Sequence, residues 1–183
     1  MGKSFFNSFI GTVYIEFSFI LPIVVVTAFT AFDITDHILL KHRLLRVAGS
    51  TLNVANFPNL KEQTLTSFLD RTIDKNIGYS IDTKAQVVVS HIGDASNIGE
   101  AYAPQISWQY SHNGGVSRIG TSGSIPSNLP NNITVTREQT LVVVEVIYNF
   151  ERDDSGVLSI FGDKEIYTIL VSPPRMGTSN VLL

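Results

Sequence analysis

The chain has 183 residues, no cysteine and a formal net charge of −3, with only 16% of residues charged. The lack of cysteine excludes disulfides, thiol nucleophiles and cysteine-based zinc sites. Residues 1–56 hold four basic against three acidic side chains, so the remaining 127 residues are net −4. They give no basic footprint for nucleic acid, yet suffice for one modest domain with its own core.

In chain order, residues 1–11 carry Phe5, Phe6, Phe9 and Ile10 with Lys3 as their only charge. From Val13 to Phe32 come 20 residues whose single charged side chain is Glu16. As a helix they span roughly 30 Å, the hydrocarbon thickness of a bilayer. The run exceeds the 7–15 residues of a cleaved signal's apolar region, and no Ala-x-Ala site closes it, so it reads as a retained transmembrane helix. Pro22 lies inside it, lacks an amide donor and crowds the preceding turn, which predicts a kink. Charge alone does not favour a cytoplasmic N-terminus, because Lys41, Arg43 and Arg46 follow the span while only Lys3 precedes it. The shortness of the N-terminal stub, a poor candidate for translocation, favours it.

Beyond Phe32 the helix is expected to continue to about Asn53. Ile34, Ile38, Leu45 and Leu52 form an apolar stripe widened by Leu39, Leu44, Val47 and Ala48, with Asp33, Asp36, Lys41, Arg43 and Arg46 largely opposite. Phe57-Pro58 ends it. A second helix is expected with Asn59 as N-cap and Glu62 three residues on, an apolar face of Leu65, Phe68, Leu69 and Ile73, and Gly78 as its stop.

From residue 79 the period changes to two. Gln86–Ile92 is a strand, and Gln105–His112 another, with Ile106, Trp108 and Tyr110 alternating against Ser107, Gln109 and Ser111. Asn113-Gly114-Gly115 supplies a hairpin turn, with Val116–Ile119 returning. Residues 120–132 are a loop. Gln139–Phe150 is apolar on both faces and reads as a central strand. Asp153–Gly156 forms a turn, Glu165–Ser172 is the last strand, and a loose tail follows Pro173-Pro174. The fold class is α+β: a long N-terminal helix packed on an antiparallel sheet.

Most chemistry-bearing residues have ordinary readings. Asp33 and His37 are four apart on one helix with His42 five further on, but no third ligand is in register, which falls short of zinc's requirement. His91 and His112 lie on separate strands. Gly120–Ser124 lacks the spacing of a nucleophile elbow and the lysine of a phosphate loop. Trp108 and Tyr110 read as core. Asn132-Ile133-Thr134 fits a glycosylation triplet, common by chance. No acid–base or nucleophile constellation is visible, so neither an enzyme nor a cofactor is expected. Glu16 stands out, since a carboxylate in a membrane helix is costly unless it is paired, solvated or neutralised. On its own it fits either snorkelling to the headgroups or pairing with a cation of a neighbouring helix.

Gly11-Thr-Val-Tyr-Ile-Glu16-Phe17, followed by an apolar run with Leu21-Pro22, resembles the type IV prepilin processing motif. More closely it is similar to the TadE-like pseudopilins of the tight-adherence pilus system. Glu145-Val-Ile-Tyr148-Asn-Phe150, Phe161-Gly162 and Pro174-Arg175 resemble the late strand pair and ending of those proteins. The leader differs from the family's in having only Lys3 as a basic residue. The resemblance implies a prepilin peptidase cutting after Gly11, Thr12 as the mature N-terminus, and Glu16 as the fifth mature residue, acting in assembly. It further implies a single-pass protein of the bacterial inner membrane, N-terminus cytoplasmic and C-terminal domain periplasmic. Its expected partners are membrane lipid, the prepilin peptidase, other pilin and pseudopilin subunits, and the pilus assembly platform. The implied organisation is a leader 1–11, a transmembrane helix 12–32, its soluble extension 33–56, an α+β domain 57–175 and a tail 176–183. The alternative is a permanently anchored extracytoplasmic binding or surface protein that is never processed. The two differ in the mature N-terminus.

Overall fold

The computed structural model of the chain describes residues 3–57, 60–77, 85–94, 104–130, 133, 135, 139–149 and 165–173. Two helices, α1 (Lys3–Ala55) and α2 (Glu62–Ile77), precede four strands, β1 (Ala85–Asp94), β2 (Pro104–His112), β3 (Leu141–Asn149) and β4 (Glu165–Ser172). The strands form one antiparallel sheet in the order β2-β1-β3-β4. The α+β class and the long N-terminal apolar helix are as expected.

Helix α1 has 53 residues, about 80 Å at 1.5 Å per residue, and runs through Pro22 without ending. It has two unlike halves. From Phe17 to Leu39 every described side chain except the half-buried Thr30 is exposed, including Phe19, Ile23, Phe29 and Phe32. Packing begins at the half-buried Leu40 and is complete at Leu44, Val47, Ala48, Thr51 and Ala55. The buried face is therefore centred on Leu44, about 90° around the helix from the Ile34/Ile38/Leu45/Leu52 stripe read from the sequence. Leu45 and Leu52 are only half-buried, and Ile34 and Ile38 are exposed. Apolar spacing marks an amphipathic helix, but here the side that packs most deeply is the one carrying Leu44, Val47, Ala48, Thr51 and Ala55. A Cβ built on Gly49 would sit 3.9 Å from Leu170 Cδ1.

Helix α2 buries Leu65, Leu69, Ile73 and Ile77, while Phe68 is half-buried. Its first intrahelical bonds run from the amides of Thr64 and Leu65 to the Lys61 carbonyl. Lys61 thus occupies the N-cap position expected for Asn59, and Glu62 is the first helical residue, not the third. A capping box is ruled out by that offset, although Glu62 at the start and Lys75 in the last turn still complement the helix dipole. A 2.7 Å hydrogen bond between the Thr66 and Tyr110 hydroxyls ties α2 to β2.

The sheet is covered on both sides. Against the helices lie Val87, Val89, Tyr110, Val142, Val144, Val146, Tyr148 and Ile166. The opposite face buries Ile92, Leu141 and Val143 with Ile106, Ile119 and Val135. Strand β3 is buried from Leu141 to Tyr148 and lies between β1 and β4, the central position its two apolar faces predict.

Two sequence expectations fail on β2 and the chain after it. The pairing with β1 slips by one residue between His91 and Ile92, so that His91 faces Trp108 and Ile92 faces Ile106. Ser107 is the extra residue of this bulge, and its hydroxyl donates to the His91 carbonyl at 3.1 Å. The slip moves Ile106 to the opposite sheet face from Trp108 and Tyr110, where a strict alternation had put all three together.

The second failure concerns the return strand. Asn113 (φ 53°) and Gly114 (φ 70°) make the expected tight turn. Val116–Ile119, however, does not pair back as a strand. It crosses the outer face instead. A Cβ on Gly115 would stand 2.9 Å from Val88 Cγ2, so only glycine lets the backbone lie this close to β1. Residues 120–130 contain no strand and no α-helix, as a loop should. Asn59, Gly78, the Asn132/Thr134 triplet, Phe150, the Asp153–Gly156 turn, Phe161-Gly162, Pro174-Arg175 and the tail lie outside the described residues.

Candidate functional site

The sequence-predicted site residues all lie on the N-terminal half of α1. Gly11 and Thr12 are helical in backbone, as is Glu16. The helix therefore places Thr12 and Glu16, four apart, on one face, about 6 Å along the axis. Glu16 is exposed and, among the described residues, has neither ion-pair nor hydrogen-bond partner. Near it, among the described residues, stand the exposed side chains of Tyr14, Phe17, Ser18 and Ile20.

Three threonine hydroxyls of this half are satisfied within the helix. The hydroxyls of Thr27, Thr30 and Thr35 donate to the carbonyls of Ile23, Val26 and Ala31 at 2.7–2.8 Å. Such back-bonding removes each hydroxyl donor from the helix surface, which suits an apolar solvent. Among the described residues, one helix is long and apolar enough to cross a membrane. It is this one, starting near the N-terminus, with none of its most apolar stretch buried by the rest of the chain.

The histidines do not converge. No group of three or more His, Asp or Glu able to hold a metal ion occurs among the described residues. His91 packs edge-on against Trp108, with ring centroids 5.3 Å apart, and burial holds its pKa below the usual histidine value. A bond to the Ala55 backbone at the end of α1 acts in the opposite sense. The buried His112 Nε2 lies 3.3 Å from Asp70 Oδ1 on α2, but off the axis of a hydrogen bond. Trp108 and Tyr110 stack and contribute to the helix-side core.

A second lone carboxylate escaped the sequence reading as a site. Glu145, in the middle of β3, is fully buried at 0% exposure. It points to the outer face and accepts three hydrogen bonds. The Arg118 amide donates to Oε1 at 2.9 Å, the Tyr167 hydroxyl donates to Oε1 at 2.7 Å, and the Ser117 hydroxyl donates to Oε2. Arg118 closes the cluster, its guanidinium 4.6 Å above the Tyr167 ring and paired with Glu165. Burial raises the Tyr167 pKa far above the ordinary phenol value, and the Glu145 carboxylate reinforces the shift, so the phenol stays a donor. Every partner comes from another element: the loop after β2 or strand β4. The cluster fastens that loop to the sheet and leaves no free lone pair in reach of solvent. Its one sequence signal was a charge interrupting the Val142–Val146 run.

No family model, curated protein or solved structure matches this chain.

Proposed function

We propose that this chain is a membrane-anchored pilin-like subunit of the TadE-like pseudopilin type, processed after Gly11 and assembled through its N-terminal helix. The observation that carries this reading is Glu16. It is the single charge between Thr12 and Phe32, lies one turn from Thr12, and has no partner among the described residues. In the proposed sequence of events the uncut protein spans the inner membrane once, with the sheet domain in the periplasm. Hydrolysis of the Gly11–Thr12 amide frees the Thr12 amine, which takes up a proton at neutral pH as α-amino groups do. In the assembled helix bundle Glu16 pairs with that ammonium group on a neighbouring copy, in place of lipid or water. The subunit acts as a minor component that aids pilus initiation or assembly, beside other pilin and pseudopilin subunits and the assembly platform.

Support also comes from the exposed half of α1, which offers an apolar surface long enough to span a bilayer and free of its own domain, and from the helix-on-sheet architecture. The test is the N-terminus of the protein after co-expression with a prepilin peptidase. Thr12 as the first residue is expected. Recovery of an intact N-terminus starting at Met1 overturns the reading and leaves a permanently anchored surface protein.

A further inference from the structure

Helix α1 ends without the usual stop signals. Its last turn carries no basic side chain, and Asn56 and Phe57 follow it where a glycine is common. The last carbonyls of a helix have no partner within it and need donors from elsewhere. The Asn56 amide donates to the Leu52 carbonyl at 3.2 Å, and the Phe57 amide to the Val54 carbonyl at 3.0 Å. Ala55 is buried, and its carbonyl takes a donor from the sheet: an imidazole N–H of His91 on β1.

The surroundings of that ring suit a neutral group. His91 is half-buried, with the Trp108 ring on β2 edge-on at 5.3 Å and Val142 of β3 as its register partner on the other side. Burial disfavours the imidazolium here more than the Ala55 carbonyl, at the negative end of the helix dipole, favours it. Among the described residues no charged side chain offsets that cost. Further along β2, Tyr110 bonds to the Thr66 hydroxyl and His112 sits beside Asp70 of α2. Glu145 of β3 points to the opposite face of the sheet, and Lys61 and Glu62 at the start of α2 are exposed. The nearest charge on α1, Arg46, is exposed and about 13 Å back along the axis. A proton on His91 therefore arrives as an uncompensated charge, with a second N–H that requires an acceptor. Turning the ring out to water relieves both and leaves the Ala55 carbonyl without its donor.

We propose that His91 is an acid-released cap of α1: neutral, it holds the last turn of the helix and the connection into α2 against the sheet, and protonated, it lets them go. The sense of the pH dependence follows from the neutral form being the one the fold accepts. The cap is complete above pH 6.5, the ordinary histidine value, and is lost as the pH falls through the lower value that burial gives His91. The rest of α1 stays packed through Leu44, Val47 and Ala48, so the release is local. The inference stands on contacts within the domain and is independent of cleavage at Gly11 and of the role of Glu16.

The test is an NMR titration of the full chain in detergent micelles. The His91 ring proton is followed against pH, together with its Overhauser contact to Trp108, the single tryptophan. A midpoint below pH 6.5 is expected, with the Trp108 contact disappearing across it. The amides of Asn56 and Phe57, which close the last turn, report release through hydrogen exchange corrected for its intrinsic pH dependence. Their exchange should rise about tenfold or more across the same midpoint while the Val47 amide stays protected. In His91→Gln, which retains a donor but not the titration, the step should be absent. If that variant does not fold, the wild-type measurements decide alone. A midpoint at or above pH 6.5 overturns the proposal, as does a titration that leaves the Trp108 contact and the two amides unchanged. Exchange of Val47 rising in step overturns local release in favour of global unfolding. A step that persists in His91→Gln assigns it to another group.

Discussion

Glu16 and Glu145 present the same signal, a single carboxylate within a run of apolar residues, and the structure treats them in opposite ways. Glu145 is sealed inside the sheet domain with three donors from its own chain. Glu16 stands exposed on a bare helix, with no partner among the described residues. The one is a finished internal contact, so its loss is felt in folding. In the proposed function the other is half of a contact, and its loss is felt only where another molecule supplies the second half.

That contrast is best broken by paired substitution. Glu145→Ala leaves the Ser117 hydroxyl, the Arg118 amide and the Tyr167 hydroxyl without acceptors. It is expected to cost the domain about 3 kcal/mol, since each part-buried donor left without its acceptor carries a penalty of roughly 1 kcal/mol. Glu16→Ala should leave unfolding unchanged and membrane insertion normal while assembly fails. Denaturant unfolding followed by Trp108 fluorescence, together with pilus output, reads both. Equal stability of the two variants would erase the distinction.

A smaller effect sharpens the account of Glu145. Tyr167→Phe keeps the ring under Arg118 but removes one of the three donors, and should cost about 1 kcal/mol in the same unfolding experiment. A loss as large as that of Glu145→Ala would mean that Tyr167 alone holds the cluster together.

The smallest effect concerns the two halves of α1. Gly49→Ala adds a methyl group at ordinary contact distance from Leu170, on a helical backbone, and should stabilise the domain by about 0.5–1 kcal/mol in chemical denaturation. A destabilising result would show that the helix sits closer to β4 than 3.9 Å allows.

Elements whose cause is local were legible in the sequence. The bounds of β4, the central place of β3 and the continuity of α1 all follow from periodicity or composition within one stretch. What was not legible depends on residues far apart. The buried side of α1 is set by α2, β3 and β4, which all pack against it from later in the chain. The slip at Ser107 exists because β2 pairs with β1, and no property of Gln105–His112 taken alone reveals it. Lys61, not Asn59, starts α2, because both residues precede the same apolar face and spacing cannot choose between them. Glu145 was visible as an anomaly, but its donors Ser117, Arg118 and Tyr167 lie 22–28 residues away along the chain. Glu16 was singled out at once, because what marks it is the absence of other charge nearby.

The continuity of α1 carries one more consequence, a mechanical one. No hinge peptide separates its bare half from its packed half; a single helix serves both, with Leu40 already in contact with the domain. From Phe32 to Ala55 is a lever arm of about 35 Å. A rotation of the bare half about its axis therefore turns the sheet with it, and a lean of about 20° carries the far end sideways by roughly 12 Å. Whatever grips the first thirty residues aims the loop-covered face of the domain, without touching it.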